Sequence, residues 1–294
     1  MISRRKFLGS ASAAAAYAAW GSTVSYATPL NLPLGIQLYS VRQQLAKDYD
    51  ATLAEVASAG FTEVEAAGFY NRSAAEVKQA MQKAKLHCVS SHHPFGDLRK
   101  KFDEILAFNK ELGVGYMICS SPGPKDPTPG EGGKPRAMTI EDWRWISGQF
   151  NEMGEKTKAA GITFGYHNHI HEFDQLDGGV PYTELLKLTD PAKVTLELDC
   201  GWAMVAGHNP VDLMRDHPNR FSMLHVKDFK LKPAGGGEAK VTELGLGDID
   251  YRPIFQQAAK TQKLKHIFVE QEAFDMPYME SLKTDANYLK NLKV

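Results

Sequence analysis

Gly161-Ile162-Thr163-Phe164-Gly165-Tyr166-His167-Asn168-His169 contains the whole fold in miniature. Upstream of it, Trp143, Ile146, Phe150, Met153 and Thr157 recur at helical spacing and form one apolar stripe, so a helix runs up to Gly161. Glycine suits the left-handed position that stops a helix. The residues that follow, Ile162–His167, read as a short apolar strand ending in side chains that can bind metals or move protons. A strand that starts where one helix stops and feeds another helix belongs to a parallel sheet with right-handed crossovers.

The same unit recurs along the chain. Strands are expected at Leu34–Tyr39, Thr62–Ala66, Leu86–Ser91, Gly115–Cys119, Ile162–His167, Val194–Leu198, Phe221–Val226 and His266–Glu270. Gly60 and Gly113 also stand just before strands, and Met279, Leu282, Ala286 and Leu289 form the stripe of a last helix. Ser73-Ala74-Ala75-Glu76 and Thr139-Ile140-Glu141-Asp142 have the form of capping boxes. Eight units in about 265 residues have the size of a closed (β/α)8 TIM barrel, a single α/β domain over residues 28–294. A doubly wound open sheet is the alternative, but it wants a glycine-rich phosphate turn after the first strand, and Gln37-Leu38-Tyr39-Ser40-Val41-Arg42 has none. Two long loops, Ser120–Met138 and Lys227–Asp248, follow strands and so lie on the face where barrel enzymes keep their sites, as lids or as surface insertions.

Residues 1–27 read as a twin-arginine (Tat) signal. Ser3-Arg4-Arg5-Lys6-Phe7-Leu8 precedes an Ala-rich stretch too short and weakly apolar to span a bilayer, and Ser25-Tyr26-Ala27 offers a cleavage site. The expectation is export to the periplasm by the Tat translocase, without a stable membrane anchor. Formal net charge is −1, and three of the 34 basic residues lie in the signal, which argues against a nucleic-acid partner. The cysteines, Cys88, Cys119 and Cys200, are odd in number and unpaired by spacing, so they read as small core residues and not as a disulfide framework. A homo-oligomer is compatible with the sequence.

Ligand-type residues collect at the ends of the last four strands. Imidazole and carboxylate together suit one divalent ion such as Mn, Co, Zn or Mg and not a soft metal. One residue from each end, His167, Asp199, His225 and Glu270, is the expected metal shell. Taken singly each is weak; a lone strand-end Asp is often a helix N-cap. The expected substrate contacts are Gln37, Tyr39, Glu65, His92, His93, His169 and Trp202, with Lys227 placed to stabilise a developing enolate oxygen.

The chain resembles the xylose-isomerase-like barrels, grouped with sugar phosphate isomerases/epimerases and inosose dehydratases. The likeness rests on Gly35-Ile36-Gln37-Leu38-Tyr39-Ser40, Tyr166-His167-Asn168-His169, Leu198-Asp199-Cys200-Gly201, His225-Val226-Lys227-Asp228, Gly245-Leu246-Gly247-Asp248-Ile249-Asp250 and Val269-Glu270. It implies a divalent metal, often Mn(2+), held by one residue from each of strands five to eight. Many relatives carry Glu where this chain has His167, which removes a carboxylate able to shuttle protons; Glu172 is the nearest replacement, as base or ligand, and Glu270 is the other candidate base.

The expected function is a metal-dependent isomerase or epimerase of a sugar or keto-sugar acting through an enediolate. A lyase or dehydratase eliminating from a keto-glycoside or keto-polyol shares that intermediate and is the alternative. A non-catalytic sugar-binding protein is the third reading. Export points to a free or oxidised sugar and away from a phosphorylated one.

Overall fold

The computed structural model describes residues 28–128, 136–231 and 237–294. The expected signal, residues 1–27, lies outside the described residues, as do the middles of both long loops. The strands are β1 Leu34–Gln37, β2 Glu63–Ala66, β3 His87–Pro94, β4 Tyr116–Ser121, β5 Thr163–His167, β6 Val194–Asp199, β7 Phe221–Val226, β8 Asp228–Lys230, β9 Lys240–Thr242 and β10 His266–Val269. The helices are α1 Arg42–Leu45, α2 Tyr49–Ser58, α3 Ala74–Ala84, α4 Phe95–Leu112, α5 Ile140–Ala159, α6 Pro181–Leu188, α7 Cys200–Val205, α8 Pro210–Asp216, α9 Tyr251–Thr261 and α10 Tyr278–Asn291. Eight strands close in the order β1-β10-β7-β6-β5-β4-β3-β2. Neighbours around the ring pair in parallel.

Local chemistry explains the elements. Both capping boxes form, Ser73 with Glu76 on α3 and Thr139 with Asp142 on α5. The α5 stripe Trp143, Ile146, Phe150, Met153 and Thr157 is buried against the barrel. Gly113 (φ 90°) and Gly161 (φ 81°) take the left-handed turn that ends α4 and α5 and aims the chain into the next strand. Strand three runs three residues past its expected end: His92 pairs with Ile118 and His93 with Cys119, so both histidines stand within β3 and not after it. The antiparallel pair β8–β9, hidden in the second long loop, has no counterpart in the sequence reading.

Inside the ring, Ile118, Met223 and Phe268 form a fully buried apolar layer. Gly35 makes room for it: a Cβ there would stand 2.5 Å from the Ile267 carbonyl and 2.6 Å from the Phe268 ring. Above this floor the inward positions turn polar, and the carboxyl ends of the strands carry the site.

Candidate metal centre and active-site cavity

Alternate residues of a strand share one face, so Glu197 and Asp199 both enter the barrel from β6, where each is fully buried. The Asp199 carboxylate is divided between two tasks. Its Oδ1 accepts from the Trp202 N–H at 2.7 Å and caps α7, while Oδ2 is buried without a hydrogen-bond partner. Asn168 locks the strand end by accepting from the Asp199 N–H at 3.0 Å. One ligand atom from each of His167, Asp199, His225 and Glu270 lies within 4.8 Å of all the others. A second group, His92, His167, Glu197 and His225, meets the same limit and shares two histidines with the first.

Carboxylates behind the rings orient them. Glu65 Oε1 lies 2.8 Å from His225 Nε2, and Glu197 Oε2 lies 3.1 Å from His167 Nδ1. An imidazole that gives its N–H to such a carboxylate presents the other nitrogen, with its lone pair, to a metal. For His225 that other nitrogen is Nδ1, 3.1 Å from Glu270 Oε2 and 4.0 Å from Asp199 Oδ2. Glu65 is itself fixed by the Gln37 amide (2.8 Å) and the Ser90 hydroxyl (2.5 Å). Gln37 and Glu65, expected as substrate contacts, are both fully buried behind His225 and absent from the cavity wall.

The electrostatics are those of a carboxylate-rich pocket. Burial opposes charge on His92, but Glu65 and Glu197 outweigh it and lift the ring to about 9. Burial and the adjacent His225 push His167 well below the ordinary histidine value. Burial would raise Glu270, yet the Lys227 ammonium and His225 hold it well below the usual carboxylate range. Asp199 is raised, because burial there exceeds the help it receives from Lys227. Glu65, Glu197, Asp199 and Glu270 thus share one buried volume with Lys227, His92 and His225, and buried carboxylates of this kind are held only where cations pair with them. The unpartnered Asp199 Oδ2, two oriented imidazoles and Glu270 make a mixed N/O donor set that fits a divalent ion.

Lys227, expected to stabilise an enolate oxygen, is engaged with carboxylates. Its Nζ is 2.5 Å from Glu272, 2.8 Å from Glu270 and 3.2 Å from Asp199, and the side chain is fully buried. It braces three carboxylates and does not reach the cavity wall. Glu172 is also drawn away from the wall: it accepts from the Tyr166 hydroxyl (2.5 Å) and from the His169 N–H (2.9 Å). It positions His169 from behind.

In front of these groups opens a cavity of about 1000 Å³. Tyr39, His92, His93, His169 and Trp202, the expected substrate contacts, line it together with His167 and Glu270, and Asp199 and His225 lie behind the wall. Glu272, bound to the Trp202 indole N–H at 3.1 Å, lines it too, though sequence alone gave it no role. Glu197 was equally unassigned. The two-residue alternation of β6 put it on the Asp199 face and was the available signal.

The family profile described as "Xylose isomerase-like TIM barrel" matches residues 53–292. The chain belongs to that family. Among xylose-isomerase-like relatives, the inosose dehydratase of Clostridium perfringens is 25% identical over 247 residues, covering 76% of this chain and 82% of that protein. A solved sugar phosphate isomerase/epimerase from Parabacteroides distasonis is 29% identical, with a TM-score of 0.70 over 92% of this chain and 95% of its own. A xylose-isomerase-like barrel from Mycobacterium smegmatis, solved in complex with magnesium, shares 12% identity over 88% of this chain and 95% of its own; at a TM-score of 0.64 it shows the common fold alone. Curated and solved relatives thus include both dehydratases and isomerases/epimerases.

Proposed function

We propose that this barrel is a metal-dependent enzyme that removes the proton beside the ketone of a keto-sugar or keto-polyol and expels an oxygen substituent from the next carbon. The grouping of His167, Asp199, His225 and Glu270 at the wall of a large cavity carries the reading. A divalent ion held there would supply Lewis acidity to the substrate's oxygens. Glu270, ionised and on the wall, accepts the proton. The C–H electrons become a C=C bond, the bond to the departing oxygen breaks, and that oxygen takes up a proton, which Glu270 can return. His92, His93 and His169 offer ring nitrogens to hydroxyl groups along the wall.

One observation favours elimination over epimerisation, one of the two reactions that sequence reading put first. Inverting a carbon needs proton-transfer groups on both faces of the substrate, and strand five carries His167, tied to Glu197, in place of a second carboxylate. The similarity to inosose dehydratases supports the same choice. The test is proton NMR of keto-glucosides with the Mn-loaded protein in deuterated water. Elimination predicts an unsaturated ketone and a released alcohol. A saturated product with an inverted or relocated carbonyl would assign isomerase chemistry, and no exchange at all would remove the enzymatic reading. We also propose export through the Tat pathway. Replacing Arg4 and Arg5 by Lys should hold the precursor in the cytoplasm, and unchanged periplasmic yield would refute it.

A further inference from the structure

The cavity is larger than its chemistry requires. At about 1000 Å³ it stands at the top of the ~300–1,000 Å³ range that holds drug-sized ligands, well beyond one sugar ring. Its lining changes character from end to end. At one end stand His92, His167, His169 and Glu270. At the other, Phe69 from the β2–α3 connection faces Ile105 and Phe108 of α4, all three partly exposed to the cavity. The Phe69 and Phe108 rings lie 4.4 Å apart at 40°, and Phe69 is 6.2 Å from the His93 ring, so His93 marks the junction.

Two backbone features shape the apolar end. Helix α4 is broken at Lys101 (φ −133°, ψ 30°), just before the turn that bears Ile105 and Phe108. Gly68 (φ 103°) turns the chain that carries Phe69, and a Cβ there would meet nothing within 4 Å. Charged groups in this arm, Asp97, Lys101 and Glu104, flank the apolar patch. Between them Ala67, Phe69, Ile105 and Phe108 provide no side-chain hydrogen-bonding group. Over that patch a second sugar's hydroxyls find partners only at the charged rim, and each one left unpaired costs about 1–3 kcal/mol; a flat apolar group needs none.

His93 equips the junction. Asn109 donates to His93 Nε2 at 3.0 Å and to the Ile105 carbonyl at 2.9 Å, while its own carbonyl accepts from Ser91 at 2.6 Å. Nε2 also lies 3.0 Å from the Ser91 hydroxyl, so that nitrogen is occupied and Nδ1 is the one left for a ligand. A ring nitrogen held in place there suits a contact to the bridging oxygen between a sugar and its substituent.

From this geometry we infer that the apolar arm formed by Phe69, Ile105 and Phe108 is an aglycone subsite, and that the substrate is a keto-glycoside whose leaving group is aromatic. The inference rests on the eliminating reaction proposed above and deepens it by naming the leaving group. In the balanced step the aryl oxygen departs with the electrons of its bond to the sugar and is released as a phenol.

Phenyl, methyl and glucosyl 3-keto-β-glucosides, compared on the Mn-loaded protein, test this. The phenyl compound should exceed the methyl one in kcat/KM by about tenfold or more, the worth of one or two ring contacts. That ratio should fall towards one in Phe108→Ala and in the milder Phe108→Leu, each checked for folding by circular dichroism. An equal ratio in the wild-type protein, or one that survives both variants, would overturn the subsite. So would a preference for the glucosyl compound, which would make the arm a second-sugar site. If no keto-glucoside is turned over, the reaction falls, and saturation-transfer NMR with phenyl β-glucoside then decides the arm by itself. Saturation reaching the phenyl protons in the wild-type protein and lost in Phe108→Ala upholds it; its absence refutes it.

Discussion

Glu65 makes contact with both His225 and His92, and its carboxylate is already held by Gln37 and Ser90. Its worth should appear in metal binding. Glu65→Gln is expected to weaken divalent-metal affinity by about 10–100-fold, because the His225 ring exchanges a charged acceptor for a neutral amide. Titration of the folded variant with Mn(2+) measures this, and unchanged affinity would mean that Glu197, 3.3 Å from the same nitrogen, and ring packing orient His225 without Glu65. The two candidate bases separate in the same residue-by-residue way. Glu270→Gln should cost turnover about 10²–10⁴-fold. Glu172→Gln, a change behind the wall, should leave turnover within about tenfold of wild type, since both its contacts have counterparts that an amide can keep in part. A loss at Glu172 as deep as that at Glu270 would restore it as the proton acceptor. The meeting of His167, Asp199, His225 and Glu270 was readable from sequence because each ends a strand of a closed ring. The fates of Lys227 and Glu172 were not, since they depend on Glu272 and Tyr166, which reach them only in three dimensions.

Among the elements, α5 shows how one residue secures a helix and a loop together. Asp142 completes the capping box with Thr139, accepts from the Lys125 N–H at 3.0 Å and pairs with Arg136 at 2.8 Å. The bond from Arg136, reinforced by the backbone N–H groups, holds its carboxyl far below the usual range. A depressed folded-state value means that this stability is present above the unfolded value, near pH ~3.9, and is lost as the pH falls below it. Asp142→Asn should therefore melt lower than wild type at pH 7, and the two melting curves should converge below about pH 4. A gap that persists in acid would point to packing as the source. The periodicity of α5 and its stop at Gly161 were legible because helix, cap and glycine are local chemistry. The extension of β3 through His93 was not, because its pairing partners, Ile118 and Cys119, come from another strand. Phe69 and Phe108 had no assigned role in sequence, because the contact between their rings joins the β2–α3 connection to α4 only in three dimensions.

The barrel as a whole is stoppered from below. Ile118, Met223 and Phe268 leave no room for passage through the ring, so the site exchanges its contents with solvent on the strand-end side. Traffic then has an order. A leaving group packed against Phe69 and Phe108, as proposed above, is expected to clear before a sugar product held at the histidines. Steady-state kinetics would register this queue: the sugar product should inhibit competitively against substrate, while the phenol, gone first, should inhibit in a mixed pattern. The opposite pair of patterns would mean that the sugar slips out past an occupied arm. A sealed floor, described above only as packing, thus acts as a one-door room, and it makes the departure of the smaller guest a candidate for the slow step of the cycle.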